Sequence, residues 1–140
     1  MTKKYVQNIL RYILGGIFLI AAISKFINPY PLGDFLNSLR FLPGYLIILG
    51  VYVLSCFELA LSLLLLFDYQ RALIASIFLF FISIATIYSI WLYFSGVRLA
   101  CGCFGGFLDR QIGILYFLTN GLIIIGFSTY LWLAKENKDV

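Results

Sequence analysis

Of the 140 residues, 63% are hydrophobic and 11% are charged, whereas a soluble domain carries about a quarter charged residues. That composition excludes an ordinary globular domain and leaves an integral membrane protein. The net charge of +4 rests on ten Lys and Arg, but these sit at the ends of apolar runs instead of forming a stripe interleaved with aromatics, which argues against nucleic-acid binding. The chain has no His, so it lacks the commonest transition-metal ligand and the usual general base near neutral pH.

A helix crosses the hydrocarbon core with about 20 mostly apolar residues. The first such run covers about 9–27, preceded by Lys3 and Lys4 and ended by Asn28-Pro29-Tyr30-Pro31, where two prolines stop a helix. No convincing small-x-small cleavage site follows it, which favours a retained span over a signal peptide. Over 31–41, Leu32, Phe35, Leu36 and Leu39 share one face, while Gly33, Asp34, Asn37, Ser38 and Arg40 take the other. This spacing predicts a short helix lying in the membrane interface. Further spans are predicted at about 45–67, 72–94 and 112–134. The fold expected is all-α, a single domain over 1–140 built as a four-helix bundle in the lipid bilayer.

An even number of spans puts both termini on one side, with the 68–71 turn. That side carries Lys3, Lys4, Arg11, Arg71, Lys135 and Lys138, against Lys25, Arg40, Arg98 and Arg110 on the other. The positive-inside rule then places the termini in the cytoplasm, in a multi-pass inner-membrane topology, with the 95–111 connection on the periplasmic or extracellular side.

That connection holds Cys101, Gly102 and Cys103. A bridge across one glycine closes almost no loop and strains the small ring it forms, so it would be easily reduced. A labile, exchanging pair is the reading this favours, beside thiols that merely pack and thiolates that hold a metal. A metal site would need carboxylates to complete four ligands, and none is expected. Arg98 favours a thiolate nearby, and Gly102, Gly105 and Gly106 leave the backbone free to approach a partner. Cys56, in the second span, is either a packing residue or a relay thiol.

Glu58 is the sharper anomaly, because an ionisable group at membrane depth costs several kcal/mol unless paired or neutral. Ser55 and Ser62 lie on its face, and Lys25 follows Gly15 and Ala22, whose small side chains allow close helix approach. A Lys25–Glu58 pair is one expectation. The other places Lys25 near the outer end of its span, reaching water, with Glu58 protonated. Ser76, Ser83, Thr86, Gly113 and Asn120 suggest further inward faces joined by helix–helix hydrogen bonds.

The stretch from Gly16 to Lys25-Phe26, then Glu58-Leu59-Ala60-Leu61, the run Cys101-Gly102-Cys103-Phe104-Gly105, and Asn120 together resemble the MauE branch of the DoxX-like membrane proteins. The likeness covers nearly the whole chain, and the cysteine run is its most specific element. It implies a redox-associated membrane protein that works with an exported thioredoxin-fold partner in maturing a disulfide-rich periplasmic dehydrogenase. Other DoxX relatives imply electron transfer to quinone. The functional expectation is thiol-disulfide exchange at Cys101 and Cys103, with Arg98, Gly102, Phe104 and Gly105 meeting the partner, Glu58 and Lys25 handling protons or positioning a membrane carrier, and a quinone, Cys56 or another protein as the second redox partner. Two other classes remain open: a non-catalytic chaperone or scaffold for an exported protein, and a small proton-linked transporter using Glu58.

Overall fold

The computed structural model describes residues 2–40, 42–97 and 113–136. Among these the chain is all-helical, as expected: α1 (Thr2–Ile27), α2 (Tyr30–Asn37), α3 (Gly44–Leu66), α4 (Arg71–Phe94) and α5 (Ile114–Glu136). All but α2 are long and apolar enough to cross a membrane. The first helix starts at Thr2, several residues before its apolar run, because Lys, Gln and Asn of the opening turns are compatible with a helix even where they are not compatible with lipid.

The polarity of the bundle is that of a membrane protein. Large apolar side chains such as Ile48, Leu49, Val53, Phe80, Ile87, Leu122 and Ile125 are exposed, while Ser55, Ser62, Ser89, Asn120 and Lys25 are buried. Lipid tails solvate the former, and the latter find partners inside. The helices form a ring in which α1 packs on α3 and α5, and α4 packs on α5; α3 and α4 touch less, although four residues join them.

Local sequence sets these relations. Gly15 brings α1 close to α3: a side chain there would run into Leu66, with the Ser62 carbonyl 3.8 Å away. The α3–α4 turn closes with Tyr69 N–H donating to Leu64 O and Asp68 N–H to Leu65 O, while Asp68 adopts φ 68°. This is the left-handed helix stop usually made by glycine. Glycine takes that place at the end of α4, where Gly96 has φ 77° and Val97 N–H reaches Leu92 O.

Two cores stack along the bundle. The one nearer the termini draws on α1, α3, α4 and α5, centred on Phe18, Phe78 and Phe127, whose ring centroids lie 4.5 to 5.6 Å apart. The other joins Leu32 and Phe35 of α2 to Val51, Leu92 and Tyr116, without α1. Helix α1 stops short. Phe26, in its last turn, meets Tyr52 at 6.3 Å between centroids, about 12 Å down α3 from Gly44 at 1.5 Å per residue. Helix α2 fills the vacated place, with the predicted Leu32–Phe35 face inward and Asp34 and Asn37 exposed.

Candidate functional site

Because α1 ends early, Lys25 does not lie at the outer surface, and the expectation that it reaches water there is corrected. It is buried, with its side chain 3% exposed, and Nζ donates to Glu58 Oε2. Glu58 stands about 21 Å along α3 from Gly44 and about 12 Å from Leu66, so the pair occupies the middle of the bundle. Ala22 is fully buried on the face that carries Lys25, as the small-residue spacing predicts.

The pair lines a cleft of about 330 Å³, walled by Leu54, Phe57 and Leu61 of α3, Phe78, Phe81 and Ala85 of α4, and Leu32, Phe35 and Leu39 on the α2 side. Its mouth lies where α3 and α4 separate, since Phe57, Phe81 and Ile84 line it and are also exposed. The Glu58 side chain is 23% exposed against 3% for Lys25. The carboxylate is therefore the member of the pair that an occupant of the cleft meets.

The serines that flank Glu58 are fully buried, as their spacing predicts. Their hydroxyls return to their own helix: Ser55 donates to Val51 O and Ser62 to Glu58 O. Such back-bonding satisfies a hydroxyl in a dry interior without joining helices. Ser76 and Ser83 behave likewise, so the expected helix–helix bond is made by Thr86 alone of that set, whose Oγ1 accepts from Asn120 Nδ2 at 3.1 Å. Beside it, the hydroxyls of Ser89 and Tyr116 lie 3.1 Å apart. These two were not singled out from sequence, although Ser89 follows Thr86 by three residues and Tyr116 precedes Asn120 by four, which is the spacing of one helix face.

Cys56 does not join the ion pair. It is exposed on the outside of α3 and is absent from the cleft lining. Arg98, Cys101, Gly102, Cys103, Phe104 and Gly105 lie outside the described residues.

The family model described as Methylamine utilisation protein MauE matches residues 3–133. The chain belongs to the MauE family. With four spanning helices it is a multi-pass membrane protein of that family. No curated protein and no solved structure matches it.

Proposed function

We propose that this MauE protein is a thiol-disulfide redox protein of the inner membrane, which exchanges electrons with an exported thioredoxin-fold protein and so supports maturation of an exported dehydrogenase. The observation that carries the proposal is the Lys25–Glu58 pair, set in the wall of an otherwise apolar cleft at mid-bundle. Packing alone does not call for such a pair, since replacing a buried ion pair by apolar residues is often neutral or stabilising. A charge pair at membrane depth marks a functional site.

Cys101 and Cys103 supply the exchange chemistry. A thiolate of one protein attacks the disulfide of the other, a mixed disulfide forms, and the second thiol of the attacking protein resolves it. One protein leaves as disulfide, the other as dithiol, and two electrons and two protons have changed hands. Glu58 handles protons on the membrane side of this traffic, and Lys25 holds it in place.

A quinone fits the cleft as the membrane-side carrier. The walls suit a flat ring, the mouth faces lipid, and the Glu58 carboxylate, the more exposed member of the pair, offers an acceptor for a hydroxyl of the reduced ring. When bound, such a group supplies a two-electron, two-proton couple. Leaving out Lys25 and Arg11, each buried in an ion pair, sets Arg40, Arg98 and Arg110 against Lys3, Lys4, Arg71, Lys135 and Lys138 at the terminal side, a bias that supports the termini lying in the cytoplasm.

The test is capture of the partner. Cys101→Ser and Cys103→Ser variants each leave one thiol with no resolving neighbour, and at least one should accumulate a reducible adduct with an exported thioredoxin-fold protein, identified by mass spectrometry. If neither variant traps an adduct, the exchange reading falls and a scaffold role takes its place.

A further inference from the structure

Tyr88 belongs to two hollows at once. It lines the Lys25–Glu58 cleft, and it lines a polar hollow at the α2 end of the bundle shared with Asp34, Asn37, Ser38, Arg40 and Ser95. Leu39 is the other side chain common to both. These two side chains are thus a partition between water-accessible polar surface and the floor where Glu58 sits.

The partition is held by bonds that can open. Tyr88 Oη and Ser38 Oγ lie 3.0 Å apart, which latches the end of α2 to α4, and Ser38 Oγ also donates to Phe35 O at 2.6 Å. The Tyr88 ring stands edge-on to Phe35 at 5.2 Å and stacks on Trp91 at 5.7 Å. In the opposite direction the ion pair meets a different barrier. Towards the termini the bundle is filled by Phe18, Phe78 and Phe127, with Leu61 and Leu65 beside them; the hydroxyl of Ser62, between those two leucines, is committed to Glu58 O. A proton needs oxygen atoms or water to move between, and among the described residues the polar hollow that shares lining side chains with the cleft is the one on the α2 side.

We propose that Glu58 exchanges its proton with the α2 end of the bundle, through a route gated by the Tyr88–Ser38 latch and Leu39. The inference rests on the reading of Glu58 as the proton-handling group. When the latch opens, water from the polar hollow enters the cleft; the proton passes between the Glu58 carboxylate and that water, and no other bond is made or broken. Tyr88 is a positioning residue in this scheme, and the route returns the proton to the face where the thiol chemistry of Cys101 and Cys103 is proposed.

The test uses a reporter that leaves the ion pair intact. Ala85, one turn from Tyr88 towards the ion pair, also lines the cleft. In a chain whose three native cysteines are serine, Ala85→Cys is treated in detergent micelles with a charged methanethiosulfonate, which reacts with thiolate and so requires water at the sulfur. Slow modification is expected, rising about tenfold or more with Tyr88→Ala, rising less with Tyr88→Phe, which removes only the latch, and falling with Leu39→Trp. Leu63→Cys, on the lipid-facing side, serves as the control and should not respond to any of these changes. The proposal is overturned if Tyr88→Ala and Tyr88→Phe leave the Ala85→Cys rate unchanged, or if they raise the Leu63→Cys rate equally, since that would mean a general loosening of the bundle. This readout needs no redox partner, so its failure is distinct from failure of the trapping experiment.

Discussion

Two clusters of charge sit on opposite sides of the aromatic plug, one half-exposed at the terminal end and one buried at mid-bundle, and they are built differently. At the terminal end, Asp68 is held by both Arg11 and Arg71, so one carboxylate ties α1, the α3–α4 turn and α4 together. At mid-bundle, Glu58 has one cation, Lys25, and no further hydrogen bond to its carboxylate among the described residues. The first cluster is over-connected and closes a turn; the second is connected once and opens on a cleft. Charge that serves the fold acquires redundant partners, whereas a group that must gain and lose a proton cannot be tied from every side.

The largest effect that would sharpen this contrast comes from removing one member of the mid-bundle pair. Lys25→Met strands Glu58 in an apolar wall, and breaking a buried pair in this way costs about 3–5 kcal/mol. A large fall in thermal stability in detergent is expected, followed by circular dichroism. The double variant Lys25→Met with Glu58→Leu removes both charges and should recover wild-type stability or exceed it, while losing the function. If the double variant is as unstable as the single one, the pair is structural and the comparison between the two clusters fails.

A smaller effect is expected at the other end. Asp68 combines two ion pairs with a left-handed backbone, which costs most residues about 1–2 kcal/mol. Asp68→Ala loses the pairs and keeps the left-handed φ, so it should lower stability by what the two partly exposed pairs contribute, about 1 kcal/mol or somewhat more. Asp68→Gly loses the same pairs but relieves the backbone, and should fall clearly less. Equal losses in the two variants would show that the turn geometry is unimportant and that the ion pairs alone hold this end.

The sequence makes the four long helices legible because lipid imposes a simple rule, about 20 apolar residues per span, and Pro29, Pro31 and Pro43 punctuate the runs. It also makes Lys25 and Glu58 conspicuous, since each is an ionisable group inside an apolar run. It leaves their meeting open. Sequence gives only each residue's distance to the end of its own helix, and α1 and α3 do not end at the same level; the early stop of α1 and the insertion of α2 are tertiary facts. The cleft was invisible for the same reason, because it exists where α3 and α4 diverge above a short turn. Ser89 and Tyr116 do not stand out in the sequence because a hydroxyl in an aromatic-rich helix looks the same whether it bonds only its own backbone, as Ser83 does, or also meets a neighbouring helix, as Ser89 does.

The smallest expected effect concerns Cys56, and it bears on how far the mid-bundle cluster extends. Its sulfur is exposed on the outside of α3, two residues from Glu58 and therefore about 200° around a helix that turns 3.6 residues per repeat. A thiol there faces away from the carboxylate and from the cleft. Cys56→Ala should change thermal stability by less than about 0.5 kcal/mol, as substitutions away from packed features usually do. It should also leave the trapped adduct of Cys101→Ser or Cys103→Ser undiminished, as judged by its yield on a non-reducing gel. A clear loss of adduct would make Cys56 a relay thiol. The functional centre would then run through α3 to its lipid face, instead of ending at the side that Lys25 and Glu58 share.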